Sequence, residues 1–530
     1  MTQKKFGVLV CCASNAVMRP ERVKTLILHL EKMGYNLLEL CIDDLYKIDG
    51  EPYFGYLRGG YTHEEIRDMD AFAQAHGVEL VPCIQTLGHL DNLVKHPCYD
   101  GIVDIDNILL VDEPDTYALI DKMFASLAGD FTTRCVNIGF DEAHHVGLGR
   151  YLDRHGYTDR YDLLLRHLDR VVEIAAKYGF KIHMWSDMFF RLGNHGEYSL
   201  KDARLPQSVI DRVPDVELCY WDYYSTDEGL YDSMFSSHER FGKPLWFACA
   251  AWTSQGFAPQ NHYALKTVAP AMRQCIRHGV DRILVTLWGD NGNDCSYFSA
   301  LPTLWAARQY ADGNFDEADI ARGFGETFGV SWDDFMLLDL PNRISTNPDY
   351  ANPYAACKAL LFNDCFLGWK DSAVAALAPT PYRAYAKELS EAAARAGEYR
   401  YLFENMAALC EALDGKATLG VDTRAAYQAG DRRALRRLVA RYRKTAAAVK
   451  HFRRTMQTVW ETENKPYGWE VHEVRFGGLL SRLLGCADRL TRYLRGEIGE
   501  IPELCETILP YGNNAVDCNV YRALVSVSQL

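Results

Sequence analysis

The stretch VNIGFDEAHHVGLGR, residues 136–150, decides how this chain reads. Val136, Ile138 and Phe140 have the alternation of a buried strand, but the run then ends in Asp141, Glu142, a spacer and the neighbours His144 and His145. Two carboxylates at the tip of a buried strand are costly unless they are paired or used. A fold that gathers strand tips around one site gives them a use.

Working outward, the first 290 residues hold eight short apolar runs. They are FGVLVCC (6–12), NLLELCI (36–42), VELVPCI (78–84), RCVNIGF (134–140), FKIHMW (180–185), VELCYW (216–221), PLWFACA (244–250) and RILVTLW (282–288). Most follow an amphipathic segment, as in PERVKTLILHLEKMGYN, where Val23, Leu26, Leu30 and Met33 recur at helical spacing. Near-continuous apolar strands alternating with helices predict a parallel sheet covered on its outer face. Eight such units predict an α/β fold, a (β/α)8 barrel over residues 1–312, with chemistry at the C-terminal ends of the strands. A doubly wound open sheet is the alternative, but no GxGxxG follows the first run.

From about residue 355 the pattern is helical almost throughout, so a mostly α-helical C-terminal domain is expected over 313–530. Leu435, Leu438, Tyr442, Ala446, Val449, Phe452, Met456 and Val459 step by three or four, predicting one long amphipathic helix. The Arg and Lys between them read as its solvated face.

Composition narrows the function. The chain is 48% hydrophobic and 24% charged, as soluble globular proteins are, and its net charge of −14 argues against general nucleic-acid binding. No apolar run is long enough to span a membrane. The start, MTQKKFGVLVCCASNAV, resembles a signal peptide, but its apolar part is short and lacks a convincing cleavage region, so it reads as the first strand. Sixteen scattered cysteines, mostly within apolar runs and without a CxxC pair, favour a reducing, cytoplasmic setting.

If the barrel holds, its rim gathers a consistent set. Gln85, His89 and Asp91 follow the third strand, Asp141, Glu142, His144 and His145 the fourth, and Trp185 and Asp187 the fifth. Trp221, Asp222, Tyr223 and Tyr224 end the sixth, Trp252 follows the seventh, and Trp288, Asp290, Asn293 and Asp294 follow the eighth. Aromatic faces stack on the C–H faces of sugar rings, and carboxylates bind hydroxyls and catalyse acetal cleavage. The mixture points to a carbohydrate. Adjacent histidines cannot both face one metal from a regular element, and no HxH occurs, so no metal or other cofactor is expected.

The stretches EPYFGYLRGGYT, VPCIQTLGHL, DEAHHVGLGRYLD, WSDMFFRLG and YWDYYS resemble glycoside hydrolase family 20, the β-N-acetylhexosaminidases. The short, intracellular bacterial branch is the most similar, the one that resembles streptococcal exo-β-N-acetylglucosaminidases, and KPYGWEVHEVRFGGLLSRL extends the likeness into the C-terminal part. The resemblance implies an exo-acting retaining β-N-acetylhexosaminidase whose substrate's 2-acetamido oxygen is the nucleophile, giving an oxazolinium intermediate. It implies that Asp141 holds the acetamide N–H and that Glu142 protonates the leaving oxygen and then deprotonates water. Tyr223, or Tyr224, would hydrogen-bond the attacking acetamide oxygen. Trp185, Trp221 and Trp288 would wall the pocket, with Trp252 beside them. Asp290 and Asp294 would accept sugar hydroxyls, and His89 would touch the sugar or support the acidic pair. Mutual repulsion of the two close carboxylates is expected to raise one pKa, that of Glu142, toward roughly 6 as in other glycosidase acids.

Two positions depart from the family pattern. Its members carry an arginine after strand one, where Ser14 stands here and Arg19 lies five residues on. They also carry a histidine where this chain has Asn137. Losing charge-assisted bonds to the sugar would shift preference toward galacto-configured, sulfated or otherwise modified N-acetylhexosamines. The expected partner is an oligosaccharide or glycoconjugate, with a homodimer implied by the resemblance alone. Two alternatives stand: a catalytically weak carbohydrate-binding protein on the same barrel, and another barrel β-glycosidase with two distant carboxylates.

Overall fold

A computed structural model describes residues 4–528. The outermost residues of the two expected domains, 1–3 and 529–530, lie outside the described residues. Eight parallel strands close on themselves: β1 (Lys5–Cys11), β2 (Leu37–Cys41), β3 (Glu79–Cys83), β4 (Cys135–Asn137), β5 (Lys181–Trp185), β6 (Glu217–Trp221), β7 (Leu245–Ala250) and β8 (Arg282–Leu287). β8 pairs with both β7 and β1, which leaves no edge. The expected (β/α)8 barrel is the observed fold.

Both faces of each strand are buried, which is why the runs are apolar without a polar alternation. Val8, Val10, Leu38, Leu40 and Leu80 face the helical jacket, while Leu9, Leu37, Val81, Trp246 and Leu284 fill the barrel. Cys11, Cys41 and Cys83 sit side by side in the β1–β2–β3 register and pack inward as small apolar side chains. Helix Pro20–Met33 shows how the jacket is specified: proline at its start, Gly34 in the left-handed region at its end, and Val23, Leu26, Leu30 and Met33 buried.

β4 is shorter than the apolar run suggests. Gly139, Phe140 and Glu142 all have positive φ, so the chain leaves strand geometry just before the acidic tandem. Pairing persists one step further through Trp185 N–H to the Gly139 carbonyl at 3.1 Å.

After the last barrel-covering helix, Leu301–Ala311, the described chain is helical or irregular. The predicted amphipathic helix spans Arg432–Glu463, and all eight residues of its apolar stripe are buried. It packs with the helices Arg400–Lys416 and Trp469–Arg495. The C-terminal region docks on the catalytic end of the barrel: Met18 bridges to Asn464, and Lys465 N–H reaches the Val17 carbonyl at 2.8 Å. Among the described residues no helix is long and apolar enough to cross a membrane.

Candidate active site

The strand ends open into a cleft of about 380 Å³, the size of a small-molecule site. Thirteen of the residues singled out from the sequence line it: Ser14, Gln85, His89, Asp91, Asp141, Glu142, Trp185, Trp221, Tyr223, Tyr224, Trp252, Trp288 and Asp290. They come from seven strand ends and the loops after them, and meet only because the barrel closes.

The tandem sits on a tight backbone. Gly139 has φ of 74°, and a Cβ there would fall 2.0 Å from Gln85 Oε1, so glycine is needed both for the turn and for the approach of Gln85. Gln85 Nε2 then donates to Asp141 Oδ1 at 3.1 Å. His89 Nε2 lies 3.2 Å from Asp141 Oδ2 and 3.8 Å from Glu142 Oε2. On the other side Arg191 Nη2 reaches Glu142 Oε1 at 3.4 Å, while its Nε donates to buried Asp187 at 2.9 Å. The Asp141 side chain is 17% exposed and that of Glu142 42%, so one carboxylate is enclosed and the other faces the cleft.

Charge follows this geometry. Burial alone would raise the Asp141 carboxyl, but the adjoining His89 cation and the hydrogen bonds hold it below the ordinary value. The Asp141 charge lifts His89 to about 10 against its own desolvation, so the imidazole stays cationic at neutral pH. The raised carboxyls lie around the tandem. Asp187 is lifted by burial and then by the Asp141 charge. Asp290 faces the open cleft yet is ringed closely enough by protein that desolvation, helped by Glu142, lifts it to about 6.

The aromatic wall is continuous. Trp221 stacks on Tyr223 with centroids 5.1 Å apart, and Trp185 packs at 6.0 Å from Trp288. Trp288 Nε1 donates to the Tyr223 hydroxyl at 3.0 Å and fixes its place in the wall. Tyr224 is 59% exposed at the mouth, edge-on to Trp252. The geometry therefore separates the two tyrosines that the sequence left open: Tyr223 is the one inside the wall.

Asp294, Asn137 and His145 lie elsewhere. Asp294 is buried behind the cleft, 2.6 Å from Lys358, because the intervening backbone turns it away from the side on which Asp290 emerges. Asn137 points into the barrel interior, where its Nδ2 lies 3.4 Å from Glu39 Oε2 and its Oδ1 accepts Gly139 N–H. It belongs to an inner layer beside the Glu39–His183 pair, closed at 2.6 Å. His145 pairs with Asp106 at 3.0 Å, away from the cleft.

Sequence reasoning missed Asp43, Arg58 and Arg191. Asp43 lines the cleft directly after β2, and the carboxylates of CIDD were its readable signal. Arg58 donates to the Ser14 carbonyl at 2.8 Å, and also to the Ala13 carbonyl and Asp44, so a guanidinium stands behind Ser14. Arg19 turns outward to the Glu461 carbonyl at 2.8 Å. No Lys or Arg is among the residues lining the cleft, which include Asp43, Asp91, Asp141, Glu142 and Asp290.

The profile of the glycosyl hydrolase family 20 catalytic domain matches residues 43–202, and that of the glycoside hydrolase 20C C-terminal domain matches residues 333–521. Together the two segments take up more than half of the chain, and the first contains Gln85, His89, Asp141, Glu142 and Trp185. The chain belongs to glycoside hydrolase family 20. This family 20 glycoside hydrolase is similar to hexosaminidase D from Bos taurus, 26% identical over 252 residues that cover 44% of this chain and 68% of that protein. Hexosaminidase D from Homo sapiens is 24% identical over 249 residues, covering 44% of this chain and 49% of that one. Among solved structures, the GH20 exo-β-N-acetylglucosaminidase from Vibrio harveyi in complex with N-acetylglucosamine aligns with a TM-score of 0.48 at 19% identity, over 64% of this chain and 58% of that chain.

Proposed function

We propose that this family 20 hydrolase is an exo-acting, retaining β-N-acetylhexosaminidase that releases terminal β-linked GlcNAc or GalNAc with the substrate's own acetamide as nucleophile. The observation that carries the reading is the divided environment of the tandem. Asp141 is enclosed and kept ionised by His89 and Gln85, while Glu142 projects into the cleft between His89 and Arg191.

In this mechanism the acetamide carbonyl oxygen attacks the anomeric carbon as Glu142 gives its proton to the departing glycosidic oxygen. Asp141 accepts the acetamide N–H and offsets positive charge as the oxazolinium ring closes. The Tyr223 hydroxyl donates to the acetamide oxygen and orients it. Water then attacks the same carbon, Glu142 takes its proton, and the sugar leaves with the β configuration. Trp185, Trp221 and Trp288 enclose the acetamide and ring, and Asp290 accepts a sugar hydroxyl. A reducing cytoplasm is the setting we assign, supported by sixteen cysteines that are all free thiols, most of them buried.

The test uses p-nitrophenyl 2-acetamido-2-deoxy-β-glucoside and its galacto epimer, with the first-formed anomer read by proton NMR. The β anomer should appear first, and an N-acetylglucosamine-derived thiazoline should inhibit competitively. An α anomer formed first, or no inhibition by the thiazoline, would overturn the reading.

A further inference from the structure

The loop after β8 is held from outside the barrel. Between Asp290, which faces the cleft, and Asp294, which does not, Asn291, Gly292 and Asn293 all have positive φ, at 55°, 122° and 49°. Consecutive left-handed residues persist only where their surroundings fix them. Here the surroundings are the helical region. Lys358, from the helix Ala356–Phe362, donates to the Asn291 carbonyl at 3.2 Å, and Arg475, from Trp469–Arg495, donates to the same oxygen at 2.8 Å. Asp294 sits against both cations, 2.6 Å from Lys358 and 3.5 Å from Arg475.

The sequence is adapted to this contact. A Cβ on Gly292 would lie 2.0 Å from Arg475 Nη1, so only glycine lets the guanidinium reach the loop. The loop after β7 is joined to the same point. Lys358 Nζ also donates to Asn519 Oδ1 at 3.1 Å, and Asn519 Nδ2 donates to the Ser254 carbonyl at 2.9 Å. Ser254 lines the cleft. Lys358 is fully buried, and a buried cation without such partners is too costly to keep. Its place is set by the carboxylate and carbonyls that it grips.

We propose that the helical region completes the active site, with Lys358 and Arg475 as positioning residues that clamp the Asn291 carbonyl and thereby fix Asp290 against the sugar. Neither cation touches substrate; both act through the adjoining residue. The inference rests on the function proposed above, because it takes Asp290 to bind a substrate hydroxyl.

The experiment is a double-mutant cycle on the full chain: wild type, Arg475→Met, Asp290→Ala and the double variant, compared by kcat/KM on the p-nitrophenyl N-acetylhexosaminide. Arg475 is partly exposed, so its loss is the milder of the two, and melting curves verify that each variant folds. Arg475→Met should lower kcat/KM about tenfold in the wild-type background and less than about twofold once Asp290 is gone, since coupled residues are non-additive. Arg475→Lys, which restores a donor, should recover most of the loss. Equal factors in both backgrounds, or no loss in either, would overturn the proposal. If the wild type does not cleave the N-acetylated glycoside, the proposed function falls and the inference with it; if it does and the losses multiply, only the inference falls.

Discussion

Asp187 Oδ2 accepts the main-chain N–H of Glu142 at 3.1 Å, and the same oxygen accepts Arg191 Nε at 2.9 Å. One buried carboxylate thus fixes both the backbone of the candidate acid/base, which has φ of 51°, and the cation that reaches its side chain. Arg191 is steadied in turn over the rings of Trp221 and Tyr198, 5.6 Å from each centroid.

Removing this support should misplace Glu142 without removing it. Asp187→Ala is expected to lower kcat by about 100-fold, the scale of loss for a catalytic group shifted by an ångström, with a smaller change in KM. Steady-state kinetics on the N-acetylated glycoside checks this, and an unchanged kcat would show that Glu142 needs no such support.

Glu142→Gln should lower kcat by about 10³-fold on a glycoside whose leaving group needs a proton. With 2,4-dinitrophenolate as leaving group the loss of the first step should largely disappear. A loss equal for both leaving groups would deny Glu142 its role as acid.

Asp290 supplies a pH dependence with a definite sign. Its carboxyl is lifted to about 6 by desolvation and the Glu142 charge; in the function proposed above it accepts a sugar hydroxyl as the anion, so kcat/KM should fall as pH drops through 6. Stability runs the other way. The folded pKa is above the unfolded one, so the contribution of this group is largest at low pH and is lost as pH rises through about 6. Asp290→Asn should flatten the acid limb of kcat/KM and raise Tm at pH 7 relative to pH 4, compared with wild type. A parallel shift at both pH values would contradict the assignment.

The carboxylate-rich lining bears on substrate choice. With no Lys or Arg among the lining residues, a 6-sulfated N-acetylhexosaminide should be cleaved at least about tenfold less efficiently than the neutral sugar, through like-charge repulsion. Ser14→Arg should narrow that difference. Equal rates on sulfated and neutral substrates would mean that the sulfate stays outside the cleft.

Much of this was legible from the sequence, for identifiable reasons. The barrel strands announced themselves because both faces of each are buried, and the Arg432–Glu463 helix because its apolar stripe keeps one period over its whole length. The position of Asp141 and Glu142 followed from the strand that precedes them. Asp290 and Asp294 were indistinguishable, since both follow β8 by a few residues and only the left-handed turn at Asn291–Asn293, with Lys358 from a distant helix, decides which faces the cleft. Asn137 was misplaced because β4 is short and its last side chain points into the barrel. Arg191 left one local trace, its spacing of four from Asp187 on a single helix, but its contact with Glu142 spans two loops that meet only in the closed barrel.

The most direct test is a rate comparison between p-nitrophenyl β-glycosides that differ only at C2, bearing acetamido, trifluoroacetamido or hydroxyl. Substrate assistance predicts a rate that falls as fluorine weakens the acetamide nucleophile and nearly vanishes for the hydroxyl. Equal hydrolysis of all three would contradict it.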